Sequence, residues 1–148
     1  MKMKKSLQII VLLLISNYSF GQMIMTAEGI KPENACNPNA VYFLIENRAR
    51  PIVSKDSIEV KLNNYVTFAK ENPTFTGKPS IQFVVNCRGE NGGGFHVVTK
   101  SGDDNLDQEL ISFFKTIKVW QAGKIRKKSV DSWYMWRLEV NSGYIKIL

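Results

Sequence analysis

Alternating apolar residues in two neighbouring segments constrain the fold of this chain more than any other sequence feature. In residues 81–86 large apolar side chains fall on every second position, and residues 95–99 form a second apolar run. A period of two is typical of a β-strand with one buried face. Residues 88–94 between them read Arg-Gly-Glu-Asn-Gly-Gly-Gly, and glycine tolerates positive φ. The two strands are therefore predicted to form a hairpin with a long, glycine-rich turn.

A helix is predicted before this hairpin. Apolar residues recur at helical spacing between Ile58 and Ala69. Asp56 or Ser57 can serve as the N-cap, and Pro73 ends the segment.

A second helix is predicted after the hairpin. Its apolar stripe consists of Leu106, Leu110, Phe113, Phe114 and Ile117. Asn105 and Gln108 fit a capping box at its start.

Residues 133–140 predict a long strand near the end of the chain. One face would carry Tyr134, Trp136, Leu138 and Val140. Residues 141–143 read as a turn, so residues 144–148 can fold back as a short final strand, and residues 41–46 predict a further strand. The order of elements indicates an α+β fold with two layers: an antiparallel β-sheet of three to five strands with two helices on one face.

The first 21 residues have the composition of a secretory signal peptide. Lys2, Lys4 and Lys5 precede a short apolar run. Residues 19–21 read Ser-Phe-Gly, with small residues at the two positions that signal peptidase recognises. The alternative, a transmembrane anchor, needs roughly 20 apolar residues, and this run is about half as long. Cleavage is predicted before Gln22 and localisation in the periplasm. Residues 22–56 would form an N-terminal extension and residues 57–148 the main domain.

Composition without the signal is that of one globular domain. The full sequence carries 20 basic and 13 acidic residues. Three of the basic residues lie in the signal, which leaves a net charge of +4. A hydrophobic content of 44% is too high for disorder.

Cys36 and Cys87 are the two cysteines. An even number in an exported chain favours a disulfide, and two buried free thiols are the alternative. Together with the single histidine, His96, they cannot complete a tetrahedral zinc site without carboxylates. No metal is expected.

A basic turn precedes the last long strand and contains Lys124, Arg126, Lys127 and Lys128. A solvated surface is the ordinary interpretation. Contact with an acidic protein or a lipid headgroup is the second, and export disfavours nucleic acid.

The polar clusters do not indicate catalysis. The glycines at positions 92–94 lack the Gly-Lys-Ser/Thr of a phosphate-binding loop. His96 lies in a predicted strand, and the acidic residues 103–109 fit helix capping better than the spacing of a calcium loop. We expect no enzyme activity and no cofactor.

The order of these elements and the residues at their junctions resemble the C-terminal domain of TonB-type energy transducers, from about residue 57 to residue 147. The matching positions include residues 101–103 (Ser-Gly-Asp), Asp107 at the start of the helix, and Trp120 with Gly123 after it. Asp107 suits the first helical turn, Trp120 can close the core, and Gly123 permits a chain reversal. The membrane helix and the proline-rich linker usual in that family are not seen in this sequence.

The resemblance implies protein binding by strand addition rather than catalysis. In that family an edge strand pairs with a short extended segment of an outer-membrane receptor. The matching strand here carries Trp133, Met135, Arg137 and Glu139 on the face opposite the core. The alternatives are packing of this face against the N-terminal segment or the C-terminal strand, a structural or dimerising role, and a ligand pocket between helix and sheet.

Overall fold

The computed structural model describes residues 30–148, so the predicted signal peptide lies outside it. Its helices are α1 (Lys55–Tyr65), α2 (Phe68–Glu71) and α3 (Asp104–Lys115). Its strands are β1 (Arg50–Pro51), β2 (Ser80–Val85), β3 (Asn91–Thr99), β4 (Trp120–Gln121), β5 (Gly123–Ile125), β6 (Lys128–Val130), β7 (Ser132–Asn141) and β8 (Tyr144–Ile147). None of these helices is long and apolar enough to cross a membrane.

Four of the strands form the main sheet, in the order β3-β2-β7-β8. Every pair in it is antiparallel. Two small antiparallel pairs, β1 with β4 and β5 with β6, lie beside it. The predicted α+β architecture with an antiparallel sheet is confirmed.

One face of the main sheet packs against the helices. Leu62 of α1 and Leu110 and Phe114 of α3 are completely buried in the same cluster as Phe83 of β2. The ring of Phe114 stacks on that of Trp136 in β7, with centroids 5.5 Å apart. Burial of large apolar side chains contributes roughly 1.5–3 kcal/mol each, so this cluster dominates the stability of the fold.

Each longer helix begins at a cap other than the one predicted. The side chain of Ser54 accepts a hydrogen bond from the backbone N–H of Ser57, so α1 starts ahead of the predicted cap. The side chain of Asp103 accepts from the N–H groups of Asn105 and Leu106. Asn105 therefore lies inside α3, because an aspartate two residues earlier, with an extended backbone, already satisfies the first free donors.

The turn of the predicted hairpin is shorter than expected. Asn86 closes it, because its side-chain oxygen accepts from the N–H groups of Arg88 and Glu90. Strand β3 then begins at Asn91, and the glycines lie within it. Gly93 and Gly94 have φ angles of 89° and 67°, and the register between β2 and β3 shifts beside them. The glycine-rich stretch therefore builds bulges in an edge strand rather than a flexible turn.

The predicted strand at residues 41–46 is wrong. Tyr42 forms one isolated bridge with Ser132, and Asn47 forms another with Lys124. These partners belong to different sheets, so the segment bends between them instead of extending along one neighbour. The strand in the N-terminal extension is β1, which pairs with β4.

Candidate partner-binding site

Strand β7 carries the predicted partner-binding residues and lies inside the sheet. Residues 132–137 pair with β2, and residues 138–141 pair with β8 on the opposite edge. The strand-addition hypothesis takes β7 as an edge strand, and β7 is one only in part because β8 covers residues 138–141. The turn at Ser142 and Gly143, both with positive φ, folds β8 back onto it.

The first half of β7 nevertheless has a gap on the edge away from β2. At one end of the gap, the N–H of Trp133 donates to the carbonyl of Tyr42. At the other end, the carbonyl of Arg137 accepts from the N–H of Leu148. Backbone groups alternate between the two edges of an antiparallel strand, so the N–H and C=O of Met135 point into the gap. Within residues 30–148 no segment pairs with β7 between these two contacts.

The gap opens into a groove of about 470 Å³. Its walls include Phe43, Arg48, Trp133, Met135, Arg137 and Leu148. Three of the four predicted partner-binding residues thus lie together. Packing of this face against the N-terminal segment and the C-terminal strand is the alternative. Within residues 30–148 the backbone contacts of this kind are those of Tyr42 and Leu148, at the two ends of the groove.

Glu139, the fourth predicted residue, lies outside the groove. Its carboxylate is 3.3 Å from the ammonium group of Lys78, in an ion pair at the surface. Exposed pairs of this kind contribute little stability.

The charge in the groove is positive. Arg48 and Arg137 contribute guanidinium groups, and the lining side chains from residues 30–148 include no acidic one. Tyr134 also borders the groove, and burial raises the pKa of its phenol to about 12. The phenol adds no negative charge at physiological pH. The two guanidinium groups and the apolar walls therefore suit an extended segment with apolar and acidic side chains.

The edge of β8, which ends the main sheet, is covered by side chains of α1. The amide of Asn63 donates to the carbonyl of Ile145 and accepts from its N–H. The carboxylate of Glu59 accepts from the N–H of Ile147 and from the hydroxyl of Tyr144. Because the N–H and C=O of Ile145 and the N–H of Ile147 are already paired with side chains, β8 is closed to strand addition.

Replacing Asn63 with alanine is expected to destabilise the protein by about 2 kcal/mol, because two buried backbone groups of Ile145 lose their partners. Urea unfolding followed by circular dichroism measures this change. Asn64→Ala is the matched control, since Asn64 is the exposed next residue of the same helix. Equal stability of the two variants would show that Asn63 does not seal the edge.

Strand β3 ends the main sheet on the other side. Its first part is held by the N-terminal segment, where the N–H of Asn34 donates to the carbonyl of Gly92. A cavity of about 840 Å³ lies here between Glu33, Phe95 and Lys115. Its lining mixes both signs of charge, which does not select one ligand class. The bulges of β3 also make it a poor template for a regular added strand.

The predicted disulfide is confirmed, and it joins Cys36 to Cys87 across 51 residues. Beside it lies the buried carboxylate of Asp131, which accepts from the N–H groups of Cys36, Asn37 and Cys87 at 3.1, 2.6 and 2.8 Å. The sequence analysis missed Asp131. A lone aspartate before a strand carries no signal of contacts that are more than 40 residues away along the chain.

One group of side chains within residues 30–148 is close enough together to hold a metal ion, and it consists of Cys36, Cys87 and Asp131. Both sulfur atoms are committed to the disulfide. His96 is elsewhere, in an edge-to-face contact with Trp133.

The residues that carry the family resemblance make contacts inside the fold. Asp107 is buried in the first turn of α3 and accepts from the N–H of Ser101 at 2.9 Å. Trp120 is in the core, and its indole N–H donates to the carbonyl of Ile117. Gly123 does not have the positive φ expected of a reversal. A Cβ at this position would meet Cδ1 of Ile45 and Oγ of Ser132, so a larger residue would require both side chains to shift.

The predicted basic turn is the tip of the β5–β6 hairpin. Arg126 and Lys127 occupy its two central positions with φ angles of 47° and 67°. Their side chains and that of Lys128 are exposed. The backbone N–H of Arg126 donates to the carboxylate of Glu46, which ties the tip to the N-terminal extension.

Comparison with known protein families, curated proteins and solved structures finds no match to this chain.

Proposed function

We propose that this protein is a periplasmic protein-interaction module that captures a short extended segment of another envelope protein by strand addition to β7. The gap at Met135 carries the proposal, because no segment within residues 30–148 pairs with the N–H and C=O that point into it between two closed ends. A segment lying there would continue the line of β8 along the same edge. Trp133 to Arg137 spans about 13 Å, so the bound part would be some four residues long.

The groove around the gap supplies selectivity. In an added strand, alternate side chains would face Trp133 and Phe43, which offer apolar area at little cost in conformational entropy. Arg48 and Arg137 favour an acidic side chain within the segment or beside it. Main-chain hydrogen bonds would provide affinity, and these four side chains would provide specificity.

The TonB-like resemblance supports a receptor of the outer membrane as the partner. The site in this chain differs from a complete edge strand, because Asn63 and Glu59 close β8. The proposed partner would therefore bind a short gap in the sheet rather than a long free margin.

The alternative is a structural or dimerising envelope protein without receptor contact. The covered edge of β8 and the bulged edge of β3 favour it, because both are devices that prevent strand pairing. A second copy could still enter the gap.

A proline at position 135 tests the proposal, since it removes the N–H donor in the gap and leaves the rest of the groove in place. Met135→Leu is the matched control, because it keeps the donor and a similar side-chain volume. The tagged chain that begins at Gln22 is mixed with detergent-solubilised outer membranes of the source organism, and bound proteins are identified by mass spectrometry. Circular dichroism establishes that both variants are folded.

We expect the unmodified chain and Met135→Leu to retain receptor-type barrels. The amount retained by Met135→Pro should be lower by at least roughly tenfold, which corresponds to the loss of about one to two hydrogen bonds. Retention of the same proteins by a folded Met135→Pro variant would contradict binding in the gap. No retained protein, together with concentration-dependent dimerisation in sedimentation experiments, would support the structural alternative.

A further inference from the structure

The net positive charge of the described chain arises entirely from one band beside the groove. We call residues 44–53 and 118–130 the basic ridge. Its two segments lie together because Asn47 pairs with Lys124 and Arg50 pairs with Gln121. The ridge contains seven basic residues and one acidic residue, a net charge of +6. The rest of residues 30–148 contains ten basic and eleven acidic residues, a net charge of −1.

The cations at one end of the ridge are held in an unfavourable backbone conformation. Both central residues of the β5–β6 turn need positive φ, which is normally the place of Asn and Gly. Here the positions are filled by Arg126 and Lys127. Non-glycine residues in this region cost on the order of 1 kcal/mol each, and such strain is concentrated at functional surfaces. The result is a hairpin tip with three consecutive exposed cations.

Exposed aliphatic side chains lie between the cations. Ile52 is 65% exposed and Val119 is 58% exposed. They are neighbours in space, because they flank the paired residues Pro51 and Trp120. Leu44 is also exposed and lies two positions before Glu46, which bonds to the hairpin tip. The ridge thus combines basic and aliphatic side chains on one band.

We propose that the basic ridge docks on the surface of a lipid bilayer that contains anionic headgroups. Lysine and arginine side chains interact with headgroup phosphates, and short aliphatic side chains enter the boundary between headgroups and acyl chains. Nucleic acid fits less well, because single-stranded nucleic acid is bound by exposed aromatic platforms, whereas the exposed apolar residues of the ridge are aliphatic. An acidic protein fits less well because protein interfaces are anchored by tryptophan and tyrosine.

This docking is independent of the gap at Met135, although Arg48 belongs to both surfaces. It would hold the groove close to a membrane and thus close to proteins embedded in it. The protein would then act at the bilayer surface, although none of the helices within residues 30–148 is suited to span a membrane.

Flotation with lipid vesicles tests the proposal. The chain used begins at Gln22, so that the apolar run of residues 7–15 cannot cause binding, and residues 30–148 retain the complete core described here. One set of vesicles contains phosphatidylcholine alone, and the other contains phosphatidylcholine with phosphatidylglycerol. Soluble poly-glutamate serves as a probe for an acidic polypeptide partner.

Two variants with the same change of net charge separate a specific surface from overall charge. Lys127→Glu with Lys128→Glu changes the hairpin tip. Lys61→Glu with Lys70→Glu changes exposed residues of α1 and α2, outside the ridge. We expect binding to anionic vesicles that falls at least roughly tenfold in the first variant, because each basic residue near an anionic surface contributes about fivefold. The second variant is expected to bind like the unmodified chain.

A further pair of changes tests the aliphatic contacts. Ile52→Ser with Val119→Ser leaves the charge unchanged and is expected to weaken vesicle binding several-fold, while binding that is purely electrostatic would be unaltered.

Several outcomes would overturn the proposal. Equal binding to vesicles of phosphatidylcholine alone and to the anionic mixture would show that anionic headgroups are not recognised. An equal loss of vesicle binding in the two charge variants would show that binding depends on net charge and not on the ridge. Binding to poly-glutamate without binding to anionic vesicles would point to an acidic protein instead.

Discussion

Replacement of Cys36 and Cys87 by serine is expected to lower the free energy of unfolding by up to about 4 kcal/mol. The disulfide closes a loop of 51 residues, and the loop-entropy treatment of the unfolded chain gives about this value for a loop of that length. Strain in the folded protein would reduce it. Urea unfolding of the double variant and of the unmodified chain, followed by circular dichroism, measures the difference.

Reduction provides the control for this prediction. Dithiothreitol should destabilise the unmodified chain by a similar amount and leave the double serine variant unchanged. If dithiothreitol does not change the stability of the unmodified chain, the bond does not contribute as proposed.

The replacement of Asp131 by alanine is expected to cost about 3 kcal/mol. Its buried carboxylate accepts three backbone hydrogen bonds, and bonds to a charged group contribute about 1.5–3 kcal/mol each without being additive. Two of the three donors belong to Cys36 and Cys87. The carboxylate and the disulfide therefore form one clamp between the N-terminal extension, the end of β2 and the start of β7.

Asp104→Ala is the matched control, because the carboxylate of Asp104 is exposed and pairs only with Lys100 among the described ion pairs. Its cost should stay below about 1 kcal/mol. Combining Asp131→Ala with the two serine replacements should destabilise by less than the sum of the separate effects, since both changes release the same segment. A strictly additive result would contradict a shared clamp.

The sequence predicted the parts of the fold that depend on local periodicity. The stripe of α3 and the alternation in β7 both place their predicted faces in the core, as Leu110 and Trp136 show. The turn at Gly143 and the return strand β8 also follow from short-range signals. In these elements local preference and burial favour the same structure.

Contacts between distant segments could not be predicted in this way. The bridge from Tyr42 to Ser132 bends a segment whose composition favours a strand. The hydrogen bonds of Asn63 to Ile145 depend on how α1 lies against the sheet edge. Both decide which part of β7 and β8 stays open. The assignment of partner binding to β7 stays a prediction, and β7 is an edge strand only in part.

Amide hydrogen exchange, followed residue by residue by NMR, tests the central claim most directly, because it needs no partner. The claim is that the edge of β7 is open at Met135 and that the edge of β8 is closed. Two residues serve as references. The backbone of Tyr134 pairs with β2, and the N–H of Ile145 donates to the side-chain oxygen of Asn63.

We expect the N–H of Met135 to exchange at least roughly a hundredfold faster than those of Tyr134 and Ile145. Of the three, it is the one for which residues 30–148 provide no hydrogen-bond acceptor. Protection of Met135 equal to that of Tyr134 in the monomeric protein would show that the gap is closed, and would contradict strand addition at this site.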